Sequence, residues 1–384
     1  MIKSRYLLPL GIMILFVFLT SFGVISLPLN TLDKTSVANE SNKDIEQSLG
    51  FAKEWFIHST SLKTHRLEYE YSPTLDIYSS DNNHTRQLGT LWAVTELRVF
   101  LKDPSLDPLI KNTLDYYLQF RITQDDYSFV TIDNLSPLSY NAFLILSLLK
   151  TPEYPQADTI LTQLGKGIVA LQKDDGSFKT FFNSDRNTSV DYYPGEAMLA
   201  LMKLYEKTQD QKYKTSVANA FSYYRNYWRN NKNTAFIPWQ TQVYFLLYTT
   251  TKDPALADFV FEMNDWLIDN HQIQESANSE FIGGFPKDYP RNQSSSYLEG
   301  INDAYVLASM VGDENHKKKY GHSLKIGTKF ILRTQATKNN VNYKNPKRAM
   351  GGFRYSLAND SQRIDYTQHA IMALLKAHKN NIFE

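Results

Sequence analysis

The sequence predicts an all-α domain in which six helical hairpins close into a ring, an (α/α)6 toroid, preceded by an N-terminal membrane anchor or signal sequence. Three observations predict it. Apolar helical patterns recur twelve times between residues 42 and 377. They alternate between long, charged stretches and shorter ones that are apolar around most of their circumference, so one kind faces solvent and the other is buried on most sides. The segments between them carry the same punctuation at each repeat, Asp or Pro at one turn and a closing Phe at the next.

Residues 1–30 carry Lys3 and Arg5 and then an apolar run from Tyr6 to about Leu29. That pattern reads as an export signal. No small-x-small cleavage site follows, which favours an uncleaved anchor with Lys3 and Arg5 on the inner side of the membrane and everything after Asn30 outside. Residues 31–42 are polar and read as a linker, and 43–384 as one domain. The long outer helices are expected at 42–58, 107–121, 156–172, 211–229, 254–270 and 315–334, and the inner ones at 84–100, 138–150, 193–206, 239–250, 297–311 and 366–377. Turns such as LKDPSLDP, KTPEYP and TKDPALA supply Asp and Pro that start the next helix. Polar loops ending at Phe129, Phe178, Phe236, Phe285 and Phe353 close each outer helix. An open solenoid of helix pairs is the competing architecture. The stretch EYEYSPTLDIY at 68–78 reads as a short β excursion.

A net charge of +1 and the lack of a Lys/Arg-rich stripe argue against a nucleic-acid partner. The chain has no cysteine, so disulfides, thiolate catalysis and cysteine zinc sites are excluded. Neither a metal nor another cofactor is expected, since His84 and His369 have no closely spaced ligand partner. The 25 Tyr and 22 Phe suit a large core and also a surface on which sugars stack.

In such a ring the loops entering the inner helices converge on one mouth, where helix N-termini favour anions. Those loops offer His84 and Arg86; Tyr140 and Asn141; Asp191, Tyr192 and Glu196; Trp239; Asp288, Tyr289, Tyr297 and Glu299; and Arg363, Asp365, Tyr366 and His369. Each has a structural reading, as cap, rim aromatic or loop brace, but six coincident clusters point to a site. Carboxylates among them suit an acid and base flanking one glycosidic bond. Proton abstraction beside a carboxylate, with Tyr or His as base and Arg neutralising charge, is the other chemistry available, and Tyr355 and Arg354 add to it.

LQKDDGSF, with Gln172, Gly176 and Phe178 at Q-x-x-x-G-x-F spacing, resembles the hairpin-ending motif of squalene cyclases and protein prenyltransferases, which are α/α toroids. That resemblance implies the ring; the chain has neither a D-x-D-D acid motif nor a cysteine to imply terpenoid chemistry. Three further segments, DYPRNQSSSYLEG at 288–300, GGFRYSL at 351–357 and RIDYTQH at 363–369, resemble the catalytic domain of D-glucuronyl C5-epimerases. Residue by residue, the resemblance nominates Asp288, Tyr289, Arg354, Tyr355 and Tyr366 around the sugar. The chain departs from that pattern in having Asp where the family has Glu before the Tyr.

The expectation is an exported carbohydrate-active enzyme, tethered to the membrane through its N-terminal segment. It would act on an acidic, uronic-acid-containing polysaccharide or oligosaccharide by epimerisation, elimination or hydrolysis. Catalysis is assigned to Asp191, Glu196, Asp288, Tyr289, Arg354, Tyr355, Asp365 and Tyr366, and substrate binding to His84, Arg86, Tyr192, Trp239, Tyr297, Glu299, Arg363 and His369. The alternative is a non-catalytic toroid that binds glycan or peptide during envelope or capsule assembly.

Overall fold

The computed structural model describes residues 40–340 and 343–384. The expected anchor at 1–30 and most of the expected linker lie outside those residues. No helix among the described residues is long and apolar enough to cross a membrane.

The helices run, in chain order, α1 (Asn42–His58), α2 (His84–Leu101), α3 (Asp107–Leu118), α4 (Leu138–Leu148), α5 (Ala157–Ala170), α6 (Tyr193–Thr208), α7 (Gln211–Asn230), α8 (Ile237–Thr251), α9 (Pro254–His271), α10 (Gln293–Val311), α11 (Glu314–Thr334), a short α12 (Pro346–Ala349) and α13 (Ile364–Lys379). The inner helices pack in the order α2, α4, α6, α8, α10, α13 and back to α2, so the ring is closed and the open solenoid is excluded. Their composition explains their place. Every residue of α4 is buried, whereas α7 buries only the stripe Tyr213, Ser216, Val217, Ala220, Phe221, Tyr224 and Trp228.

Four inner-to-outer turns share one device. Lys102, Gln209, Lys252 and Gly312 adopt the left-handed conformation that ends the inner helix. The aspartates that follow, Asp103, Asp210, Asp253 and Asp313, accept a backbone N–H at the start of the next helical segment. The Asp seen in these loops is therefore a cap.

The Q-x-x-x-G-x-F segment proves to be one of three equivalent clasps between outer helices. Gln172 Nε2 donates to the carbonyls of Gly176 and of Ser216 on α7, at 3.0 and 2.8 Å. Gln272 does the same with Gly283 and with Ser323 on α11, both at 3.1 Å. Gln335 bonds Gly351 and Ser48 on α1, both at 2.9 Å, which ties the last outer helix to the first. The glycine in each clasp has a positive φ and lies against the neighbouring helix backbone; at Gly351 (φ +94°) a Cβ would fall 2.0 Å from the Phe51 carbonyl. Gly351→Ala is thus expected to destabilise by about 1–3 kcal/mol from backbone strain, with the clash in addition. Gly50→Ala, where a Cβ meets nothing within 4 Å inside α1, is expected to be neutral or stabilising. Thermal midpoints of the two variants check this.

The β excursion at 68–78 is present as β1 (Glu70–Ser72) and β2 (Ile77–Tyr78). The two residues Gln362–Arg363, which directly precede α13, pair with β1 and brace the mouth of the ring. A second hairpin, at Arg121–Gln124 and Tyr127–Val130, stands where the polar loop ending at Phe129 is expected. Its two-residue Asp125–Asp126 turn, with Asp125 at φ +53°, reverses a pair of strands too short to show alternation.

Candidate active site

The N-terminal ends of the inner helices surround a cavity of about 430 Å³ at one mouth of the ring. Of the sixteen site residues expected from sequence, Arg86, Tyr192, Glu196, Trp239, Tyr297, Tyr355, Arg363, Asp365, Tyr366 and His369 line it. Its base is aromatic: the Trp239 ring lies 5.8 Å from Phe143 and 6.5 Å from Trp92, a cluster that plugs the ring beneath the cavity. Tyr192, 43% exposed, stands at the rim, and the Tyr297 hydroxyl donates to Thr234 Oγ1 at 2.8 Å.

His369 on α13 is paired through Nδ1 with Glu299 Oε1 on α10 at 2.6 Å. Glu299 lies behind the cavity wall, 1% exposed. Burial lowers the His369 pKa, but the charge and hydrogen bond of Glu299 outweigh it and leave the imidazole above its usual range. With Nδ1 committed to Glu299, Nε2 is the nitrogen available for proton transfer. The Trp239 ring meets His369 edge-on, with centroids 6.2 Å apart, and fixes its plane.

Across the ring, three inner helices away, Glu196 on α6 is buried, and desolvation alone pushes its carboxyl up to about 8. It holds its proton at neutral pH, and Oε2 has no hydrogen-bond partner among the described residues. A protonated carboxyl and an imidazole therefore stand on opposite walls of one cavity.

Asp365 is fully engaged. Arg363 grips both oxygens at 2.6 and 2.9 Å, and Arg86 Nε reaches Oδ2 at 3.1 Å. The Arg363 guanidinium also lies 4.5 Å from the centre of the Tyr366 ring, which packs against Tyr355 at 5.6 Å. These aromatic faces, the two arginines and Asp365 form the wall beside His369.

Six of the sixteen do not line the cavity, and each has a physical reason. Asp191 accepts from the Tyr227 hydroxyl at 2.9 Å and from Asn233 Nδ2 at 3.0 Å, bracing the chain before α8. Arg354 donates to the carbonyls of Thr334 and Arg333, the unpaired C-terminal end of α11. Asp288 is exposed, and Tyr289, 40% exposed, bonds Ser356 at 2.8 Å. His84 bonds the Tyr117 hydroxyl at 3.0 Å, and burial lowers its pKa. Glu299 is held by His369 behind the cavity wall. Of the five positions nominated by the epimerase resemblance, Tyr355 and Tyr366 are at the cavity and Asp288, Tyr289 and Arg354 are not.

The lining residues that sequence reasoning missed include Arg291, Asn292, Gln293 and Ser296, at the start of α10. A cation directly before an inner-helix N-terminus was the available signal, within a segment singled out for its Asp and Tyr.

No family model matches the chain, and the search of curated proteins finds no match. Solved structures do match. The chain is similar to a D-mannose isomerase at 12% identity, covering 90% of this chain and 100% of that one with a TM-score of 0.63. It is similar to a GH76 α-mannanase of Bacteroides thetaiotaomicron at 12% identity, 90% and 98% coverage and TM-score 0.61. It is also similar to an unsaturated glucuronyl hydrolase specific for heparin, at 11% identity, 88% and 98% coverage and TM-score 0.60. Together with the closed inner ring, these likenesses show that the chain has the six-hairpin (α/α)6 toroid fold.

Proposed function

We propose that the protein is a carbohydrate-processing enzyme that removes the C5 proton of a uronate residue, leading to epimerisation or elimination. The observation that carries this reading is the His369–Glu299 pair facing a protonated Glu196 across one cavity. Neutral His369 takes the proton through Nε2. The electron pair passes into the neighbouring carboxylate, then either recaptures a proton from Glu196 on the opposite face or expels the O4 substituent, which Glu196 protonates.

Hydrolysis by paired carboxyl groups has less support. It needs a second carboxylate free to act as nucleophile or to activate water. Asp365 spends both oxygens on arginines, and Glu299 is held by His369 behind the wall. The preference for an acidic sugar is supported by charge: three arginines, Arg86, Arg291 and Arg363, line a cavity whose lining carboxyls are Asp365 and the protonated Glu196. Structural neighbours that process sugars, including the heparin-specific glucuronyl hydrolase, are consistent with it. The apolar run at 6–29 supports placement outside the cytoplasm.

Oligosaccharides containing glucuronate, mannuronate or galacturonate, each beside its neutral counterpart, test the reading by NMR and anion-exchange analysis of products. Inverted or unsaturated uronate residues are expected. Turnover confined to neutral sugars contradicts it, and ligand binding without turnover of any sugar indicates a non-catalytic ring.

A further inference from the structure

We infer that Arg291, Asn292 and the N-terminus of α10 form the subsite that holds the carboxylate of the uronate. The inference rests on the acidic-sugar reading above and locates its charge.

Three arginines line the cavity, and they are not equivalent. Arg86 and Arg363 share Asp365, so their charge is partly answered within the protein. Arg291 makes no ion pair among the described residues; its guanidinium donates only to the neutral Gln293 Oε1, at 3.3 Å. A half-buried guanidinium without a carboxylate is a ready partner for one, and its planar fork suits both oxygens.

The backbone around it is fixed. Arg291 N donates to the Phe285 carbonyl at 2.9 Å, and the next residue, Asn292, donates its N–H to the Tyr355 carbonyl at 2.7 Å. Arg291 is thereby joined to the loop that also brings Tyr355 to the cavity. Asn292, the N-cap of α10, uses its side chain for no cap hydrogen bond. It is 2% exposed, lines the cavity, and its Nδ2 has no acceptor among the described residues. A buried amide donor without a partner is costly unless a ligand supplies one. Guanidinium, amide and the positive end of a 19-residue helix thus meet at one corner, all suited to the same ligand class.

The consequence is orientation. A carboxylate at Arg291 is anchored on α10, the helix that also carries Glu299, next to α13 with His369. The carbon bearing that carboxylate is the one whose proton is acidified by it, and it is brought to the side of the cavity where the base stands. Arg291 is a binding residue here and takes no proton.

The test compares binding of a glucuronate trisaccharide with that of its carboxyl-reduced, neutral form, by calorimetry in the His369→Gln background so that turnover does not intrude. The parent is expected to bind the acidic form at least about tenfold more tightly. Adding Arg291→Gln should weaken the acidic form alone, bringing the two affinities within about twofold, while Arg291→Lys keeps part of the preference; an unchanged thermal midpoint shows that the fold is intact. If Arg291→Gln leaves the preference in place, the subsite is wrong and the acidic-sugar reading survives. If the parent has no preference for the acidic form, the acidic-sugar reading fails and the subsite with it.

Discussion

Replacing His369 by Gln is expected to lower kcat by about 10²–10⁴-fold, the usual contribution of a positioned proton-transfer group, with little change in stability. The imidazole is held by Glu299 on one side and the Trp239 edge on the other, so an amide of similar length can occupy the space but cannot take a proton. Glu299→Gln separates a positioning role from a structural one. As base, His369 must be neutral, so activity rises with pH through its pKa, which Glu299 holds above the usual imidazole range. Removing that charge leaves burial as the dominant influence and shifts the acidic limb of the kcat/KM profile to lower pH. Glu196 must be protonated, so the alkaline limb falls near pH 8 in the parent. A bell bounded by these two groups is the expected profile; a flat profile would argue against both assignments.

Glu196→Gln is expected to make the protein more stable while lowering its activity. Desolvation raises the Glu196 pKa from 4.5 to about 8 on folding, so folding favours the protonated form. The sign follows from linkage: the group imposes no penalty below the unfolded pKa, and stability is lost progressively as pH rises from about 4.5 to about 8. At pH 7 the loss is up to about 3 kcal/mol, from 1.36 kcal/mol for each unit between the unfolded pKa and the ambient pH. The neutral amide removes it. Denaturant titrations of parent and variant should therefore coincide near pH 4 and diverge in the variant's favour near pH 8. Equal stability across that range would show that Glu196 is solvated or paired in a way that frees it from the raised pKa. A residue that destabilises its own fold at working pH, and sits unpaired in a sugar-sized cavity, is better explained by function than by packing.

The ring was legible because its information is periodic. Inner helices such as NAFLILSLL announce their burial on all sides, and Asp103, Asp210, Asp253 and Asp313 mark helix starts by local hydrogen bonding that needs no tertiary context. The mouth of the cavity was legible for the same reason, since it follows from which loops enter the inner helices. Which polar side chain turns inward was not. Asp191 and Asp365 look alike in sequence, each just before or at the start of an inner helix. One is claimed by Tyr227 and Asn233 and the other by two arginines inside the cavity, partners set by packing between distant segments. His369 and Glu299 were both expected to bind substrate, but their pairing joins positions 70 residues apart and underlies the role proposed for the histidine. Arg291 stands in sequence as a cation before an inner helix, but its lack of an ion pair among the described residues is set by tertiary packing that no local pattern records. Of the five positions nominated by the epimerase-like segments, two tyrosines reach the cavity and Asp288 lies at the surface, although those segments supply half of the cavity lining, so the segments located the site better than the residue-by-residue match did.

The most direct test of a His369-centred proton transfer is exchange of the C5 hydrogen of a uronate oligosaccharide with solvent deuterium, followed by NMR in deuterium oxide. The parent protein should replace that hydrogen in epimerised residues, or lose it with formation of a C4–C5 double bond, and the His369→Gln variant should do neither. New reducing ends formed with the C5 hydrogen retained would contradict proton abstraction and identify a hydrolase built on the same ring.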